Sequence, residues 1–214
     1  MDQVQAMDRM YRYQKYIYDF TRKYYLLGRD TLIRRMDIKP DENVLEIGCG
    51  TARNLLLIAK RYPQAKLYGL DASTEMLDTA ATKIRGTSYA DRIVLKHCLA
   101  EDLHHQRTFG VEKPFDKVFF SYSLSMIPPW LQALHVGLEN LKSGGILYIV
   151  DFSDQRGLPK WFSFMLKRWL AMFGVHYHPE LLIELQKLHD SGQGTLTITS
   201  LGGHYAFIAE FVKK

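Results

Sequence analysis

Apolar positions along this chain alternate between short continuous runs and helical spacing. Residues 4–27 place Met7, Met10, Tyr11, Ile17 and Tyr18 at roughly helical intervals, which predicts an opening helix. Gly28 stands where that helix would end, and Asp30 where a second one over Thr31–Met36 would be capped. Pro40 and Asp41 mark a turn. From Val44 onward the pattern predicts strands at Asn43–Ile47, Lys66–Leu70, Ile93–His97, Phe115–Ser121 and Ile146–Val150. Helices are predicted between them at Asn54–Arg61, at Glu75–Ile84 with Ser73 as its N-cap, and at Leu131–Asn140. Residues 104–114 read as a polar loop and Gly144-Gly145 as a turn. Trp161–Phe173 is an amphipathic run, and His178–His189 a further helix with Glu180, Glu184 and Lys187 on its polar side. Gly194–Ser200 and His204–Val212 alternate like strands around Gly202-Gly203, which predicts a hairpin.

Strands alternating with helices predict an α/β, Rossmann-like fold whose mostly parallel seven-stranded sheet is closed by an antiparallel C-terminal hairpin. In such a sheet the ligand crevice lies at the carboxyl ends of the strands. Residues 1–38 are expected to form a helical cover and residues 39–214 the main domain.

Composition narrows this reading. The chain has 214 residues, enough for one domain with an extension and a full core, and carries 13 Tyr, 11 Phe and 3 Trp. Its two cysteines, Cys49 and Cys98, fall in separate elements and make no metal-ligand spacing, so neither a disulfide framework nor a metal site is expected. The N-terminal region is too charged for a signal peptide, and no run reaches the roughly 18 apolar residues of a spanning helix. A cytoplasmic protein is expected. The net charge of +5 is concentrated: residues 1–35 hold eight Lys/Arg against four Asp/Glu, and residues 155–179 hold Arg156, Lys160, Lys167 and Arg168 with no acid. Two basic segments on a mildly acidic body suggest a localised anionic partner. They are not interleaved along a groove-sized surface, so nucleic acid is not expected.

The chemistry centres on Val44–Asn54, VLEIGCGTARN, which reads as strand, glycine turn and helix start. Gly48 and Gly50 allow a sharp turn and close approach to a ligand, and the helix start aims N–H groups at it. Arg53 stands where a dinucleotide fingerprint has its third glycine, which argues against pyrophosphate. Glu46, two residues before Gly48, would repel a phosphate but suits an ammonium group. Asp71, at the end of the second strand and about 20 residues downstream, is placed to accept from ribose hydroxyls.

On these residues the chain resembles the class I S-adenosylmethionine-dependent methyltransferases over about residues 40–214. The resemblance implies S-adenosyl-L-methionine as cofactor, with Glu46, Gly48, Gly50 and Thr51 at its methionine part and Asp71 at its ribose. It puts Ala72 and Met76 beside adenine, and Ala100 and Glu101 at the adenine edge. Leu99 departs from the family, many members having Asp there, which leaves adenine N6 to Glu101 or a backbone carbonyl. Phe115-Asp116-Lys117-Val118 leading to Ser121-Tyr122-Ser123 matches the strand facing the transferred methyl. Tyr25, Arg29, Asn54 and Ser121 complete the expected cofactor set. Cys49 is expected to fill the turn, and His97, His104, His105 and His135 to be structural or surface residues.

The acceptor is read from outside this core. Tyr16-Ile17-Tyr18-Asp19-Phe20-Thr21-Arg22-Lys23-Tyr24-Tyr25-Leu26-Leu27-Gly28-Arg29-Asp30 resembles the start of the betaine-lipid methyltransferases, which trimethylate the amine of diacylglyceryl-homoserine. That resemblance implies a lipid substrate, with Tyr16, Tyr24 and Tyr122 as catalytic candidates and Arg22, Lys23 and Trp130 as substrate contacts. Tyrosines suit an amine that becomes a quaternary ammonium, through hydrogen bonds and cation–π faces. Trp161–Phe173, aromatic and basic without acids, suits peripheral contact with an anionic membrane surface. The alternatives are a phosphatidylethanolamine N-methyltransferase, a quinone-methylating enzyme, and a cofactor-binding subunit without catalysis. The sequence does not fix an oligomeric state.

Overall fold

The computed structural model describes residues 26–171 and 175–214. The expected helix over residues 4–27 falls almost entirely outside them, with Tyr16, Arg22, Lys23, Tyr24 and Tyr25. Among the described residues seven strands form one sheet: β1 (Asn43–Ile47), β2 (Lys66–Asp71), β3 (Ile93–His97), β4 (Phe115–Ser121), β5 (Leu141–Phe152), β6 (Gly194–Leu201) and β7 (Ala206–Lys213). Their order is β3-β2-β1-β4-β5-β7-β6. β1 pairs in parallel with both β2 and β4, while β7 runs antiparallel between β5 and β6. The fold class and the closing hairpin are as the sequence implied. The order reverses between β1 and β4, so the crevice at that switch point lies beside the glycine turn.

Seven helices flank the sheet among the described residues: α1 (Arg29–Arg35), α2 (Arg53–Arg61), α3 (Thr74–Arg85), α4 (His105–Phe109), α5 (Trp130–Glu139), α6 (Lys160–Ala171) and α7 (Pro179–Asp190). Apolar runs on β1, β4 and β5 are buried on both faces, as a parallel sheet between helices requires. One core layer gathers Leu32, Met36, Val44, Ile58 and Tyr148; the other gathers Leu45, Phe115, Phe120, Leu134 and Phe211.

Three local expectations change. The polar stretch 104–114 contains α4, whose last turn ends on Gly110 in the left-handed region at φ +70°. Gly144-Gly145 is not a free turn but lies within β5, where the register against β4 shifts from Phe115–Leu141 to Lys117–Ile146 as a bulge. Asp30 does not cap α1. Gly28 occupies that position at φ +88°, and a Cβ there would sit 2.3 Å from Leu201 Cδ1. Asp30 instead accepts from Arg53 Nη1 at 2.9 Å, and this hydrogen bond holds its carboxyl below the usual range. Ser73 does cap α3, accepting from Met76 N at 3.3 Å.

Candidate active site

The turn after β1 is fastened from both sides. The N–H groups of Gly48 and Cys49 donate to Leu70 O at the end of β2, each at 2.9 Å. Gly50 N–H donates to Asp71 Oδ2 at 2.7 Å, and Ser73 N–H to Asp71 Oδ1 at 2.9 Å. From the other side, the Ser123 hydroxyl beyond β4 donates to Ile47 O at 2.8 Å. Gly48 lies at φ +76°, and a Cβ on it would come within 2.6 Å of Ser123 Cβ. Only glycine fits that approach without strain. Ala52, left-handed at φ 59°, then turns the chain into α2.

Two buried carboxylates stand at this turn. Glu46, on β1, accepts from Asn54 Nδ2 at 2.6 Å, so the first turn of α2 orients it. A charge-assisted bond of this kind contributes on the order of 1.5–3 kcal/mol. Asp71 uses its two oxygens on backbone N–H groups. A carboxylate offers about four acceptor sites, so it can hold the turn and still accept from a ligand hydroxyl. Cys49 is buried between them; burial above all, then the Asp71 and Glu46 charges, pushes its thiol up, which suits a filler and not a nucleophile.

These groups border a cavity of about 470 Å³ at the carboxyl ends of β1, β2 and β4. It brings together Arg29, Glu46, Gly48, Gly50, Thr51, Asn54, Asp71, Ala72, Met76, Ala100, Glu101 and Ser121, every expected cofactor residue within the described chain, with the catalytic candidate Tyr122 beside them. Leu99 also lines it, so the departure from the family pattern falls on the wall itself. The Ser121 hydroxyl is buried there without a hydrogen-bond partner among the described residues, a group left for a ligand to satisfy. A glycine cradle, two carboxylates, the helix start and an orphaned hydroxyl fit a zwitterionic, ribose-bearing cofactor.

The acceptor candidates fare differently. Tyr122 lies on the wall in the left-handed region at φ 57°, and its hydroxyl donates to Leu27 O at 2.6 Å. Burial pushes that hydroxyl far up, with the Asp151 charge adding to it. The bond to Leu27 clamps the chain entering α1 while the residue stays on the cavity wall. Trp130 does not line the cavity: its ring stacks on His178 at 5.2 Å between centroids, beyond the rim formed by Pro128 and Pro129. His135 pairs with Glu184 at 3.2 Å, and His97 Nε2 lies 2.9 Å from Ala72 O, both structural.

Sequence reasoning missed two residues. Ser123 closes the turn, a role its S-Y-S setting did not reveal. Asp151, at the end of β5, is fully enclosed; its Oδ2 accepts from Ser125 N at 3.0 Å and its Oδ1 from Phe152 N at 2.8 Å. It thereby holds the short 3₁₀ turn Leu124–Met126, whose Met126 lines the cavity.

Comparison with known proteins agrees with this chemistry. A family model described as a methyltransferase domain matches residues 38–190. Ubiquinone/menaquinone biosynthesis C-methyltransferase UbiE of Geotalea daltonii is 29% identical over 145 residues, 65% of this chain and 60% of that protein. Trans-aconitate 2-methyltransferase of Pseudomonas paraeruginosa is 31% identical over 137 residues, 63% of this chain and 44% of that protein. The chain thus matches 60% or less of the length of these two relatives. Among solved structures, a chain in the complex between the Haloferax volcanii Trm112 methyltransferase activator and the putative methyltransferase superposes with a TM-score of 0.74 at 12% identity, covering 96% of each chain. At that identity the likeness is one of fold.

Proposed function

Because this chain belongs to the family of S-adenosylmethionine-dependent methyltransferase domains, we propose that it methylates the headgroup amine of a lipid, diacylglyceryl-homoserine, to the trimethylated betaine. The observation that carries this reading is the placement of Leu26 and Arg29. They end the stretch Tyr16–Asp30 that resembles the betaine-lipid methyltransferases, and both line the cavity with Glu46, Asp71 and Tyr122. That the last residues of this stretch stand at the pocket that would take the cofactor supports the reading.

S-adenosylmethionine, when bound, supplies an electrophilic methyl on a sulfonium centre. Glu46, oriented by Asn54, suits its ammonium group, and the Arg29 guanidinium suits its carboxylate. Asp71 accepts from ribose hydroxyls, and Met76 and Ala100 give adenine an apolar bed with Glu101 at its edge. An amine nucleophile needs no strong base once neutral, so the protein's task is alignment and exclusion of water. Ser121, Tyr122 and Ser123 make a fixed polar wall, and Met126 to Pro129 an apolar one. Tyr16, Tyr24 and Tyr25, outside the described residues, would add aromatic faces for the growing ammonium charge, and Arg22 and Lys23 would meet a headgroup carboxylate.

A second reading is methylation of a quinone-type ring at carbon. It is favoured by the apolar rim Met126–Pro129 and by the named activity of the Geotalea relative. Parallel incubations with diacylglyceryl-homoserine, phosphatidylethanolamine and a demethylated quinone, read by product mass, separate the readings. Successive methyl increments on the homoserine lipid alone are expected. Increments on the quinone alone would replace this reading with the second.

A further inference from the structure

Helix α6 leaves the carboxyl end of β5, the end of the sheet where the cavity lies. The chain just beyond it is tied to the cavity wall, His176 N–H donating to Ser125 O at 2.8 Å beside Met126. Leu166 and Trp169 turn inward against the core layer that holds Phe152 and Tyr205. The opposite side carries Trp161, Phe164 and Met165, which remain 67%, 63% and 63% exposed. With the exposed Arg168 these positions recur at i, i+3, i+4 and i+7, a single stripe along the helix. Large apolar side chains so exposed and so grouped mark an interaction surface.

The charge of this segment narrows the chemistry of the partner. Residues 155–179 contain Arg156, Lys160, Lys167 and Arg168 and no acidic residue; Arg156 is paired at 3.4 Å with Asp154 just before them, so the three cations of α6 itself carry the excess. Apolar and basic groups on one amphipathic helix match the interface of an anionic bilayer, where rings enter the acyl boundary and cations meet headgroups. A symmetric dimer through the same stripe would set the basic face against itself. We propose that α6 docks the protein on anionic membranes, its Trp161–Phe164–Met165 stripe entering the interfacial layer and turning the cavity toward the bilayer. This rests on the lipid reading for its purpose, but its test needs neither acceptor nor cofactor.

The test is co-sedimentation of the full chain with vesicles of phosphatidylcholine alone or mixed with phosphatidylglycerol, at low and high salt. Binding is expected to the mixed vesicles only and to weaken with salt. Arg168→Glu should weaken it by about fivefold or more, since one cation near such a surface is worth about that factor. The double variant Phe164→Ser/Met165→Ser should weaken it at least about tenfold, through lost apolar burial. Both changes are exposed, so thermal melting and S-adenosylmethionine calorimetry should match the unaltered protein. Equal binding to both vesicle types, or variants that bind undiminished, would overturn the proposal. So would a dimer that light scattering detects and Phe164→Ser dissociates. Methylation of detergent-dispersed lipid is read separately, so failure of the docking surface and failure of the acceptor reading remain distinguishable.

Discussion

The Asp71 carboxylate and the Gly50 amide meet at 2.7 Å across the carboxyl ends of β2 and β1. One acidic side chain thus shapes the glycine turn and lines the same cavity, where a ligand hydroxyl would find an acceptor. The two duties explain why an acid ends β2, while the left-handed φ of 51° at position 50 favours glycine there.

Replacing this acid tests both duties. Asp71→Ala should lower S-adenosylmethionine affinity by about 10- to 100-fold, as expected for a lost charge-assisted hydrogen bond, and also lower the melting temperature. Asp71→Asn keeps one acceptor oxygen but sets its NH2 against the other backbone N–H, so part of the affinity should return while the melting temperature stays depressed. Calorimetry and thermal melting read the two effects; unchanged affinity in Asp71→Ala would remove the ribose assignment.

At Gly48 the requirement is steric. Gly48→Ala adds a Cβ at 2.6 Å from Ser123 Cβ on a backbone at φ +76°. The cost should be on the order of 1–3 kcal/mol in urea unfolding, with cofactor binding impaired beyond that of a neutral surface change. A variant as stable as the parent would mean the turn is not held as described.

Much of this architecture was legible because it rests on strong local patterns. The runs Val44–Ile47 and Val118–Phe120 could only be buried strands, and Ser73 sat where a cap was needed. What was hidden depended on partners distant in sequence. Asp30 looked like a cap until Arg53, far along the chain, engaged it. Gly144-Gly145 looked like a turn because a bulge within a long strand uses the same residues as a loop. Helix α4 is too short and too polar to produce a periodic signal. Tyr122, expected at the site, lines the cavity, but its left-handed backbone and its bond to Leu27, 95 residues away, left no local signal in the sequence. Nothing about the acid that ends β5 announced its enclosure.

That enclosed acid gives a pH signature. Burial, opposed only in part by its hydrogen bonds, pushes the Asp151 carboxyl up to about 6 from an ordinary 3.8. The folded form therefore keeps its proton to higher pH than the unfolded chain, and stability falls as pH rises through that window. The loss should be up to about 2–3 kcal/mol, at 1.36 kcal/mol per unit. Asp151→Asn should flatten this slope in denaturant titrations between pH 4 and pH 6. A slope identical in the variant would assign it to other groups.

Tyr122→Phe separates clamp from catalyst. Loss of its bond to Leu27 O should cost about 1 kcal/mol of stability. If the hydroxyl only fixes the wall, KM for the acceptor should rise while kcat stays within about threefold. A fall in kcat of about a hundredfold or more with KM unchanged would make it a proton carrier.

The central claim concerns the atom that receives the methyl. The protein, incubated with S-adenosylmethionine carrying a ¹³C methyl and with diacylglyceryl-homoserine dispersed in detergent, should yield lipid whose label resonates as methyl bonded to nitrogen. Label appearing only on carbon or oxygen of an alternative acceptor, with the homoserine lipid unchanged although S-adenosylmethionine is bound, would contradict it.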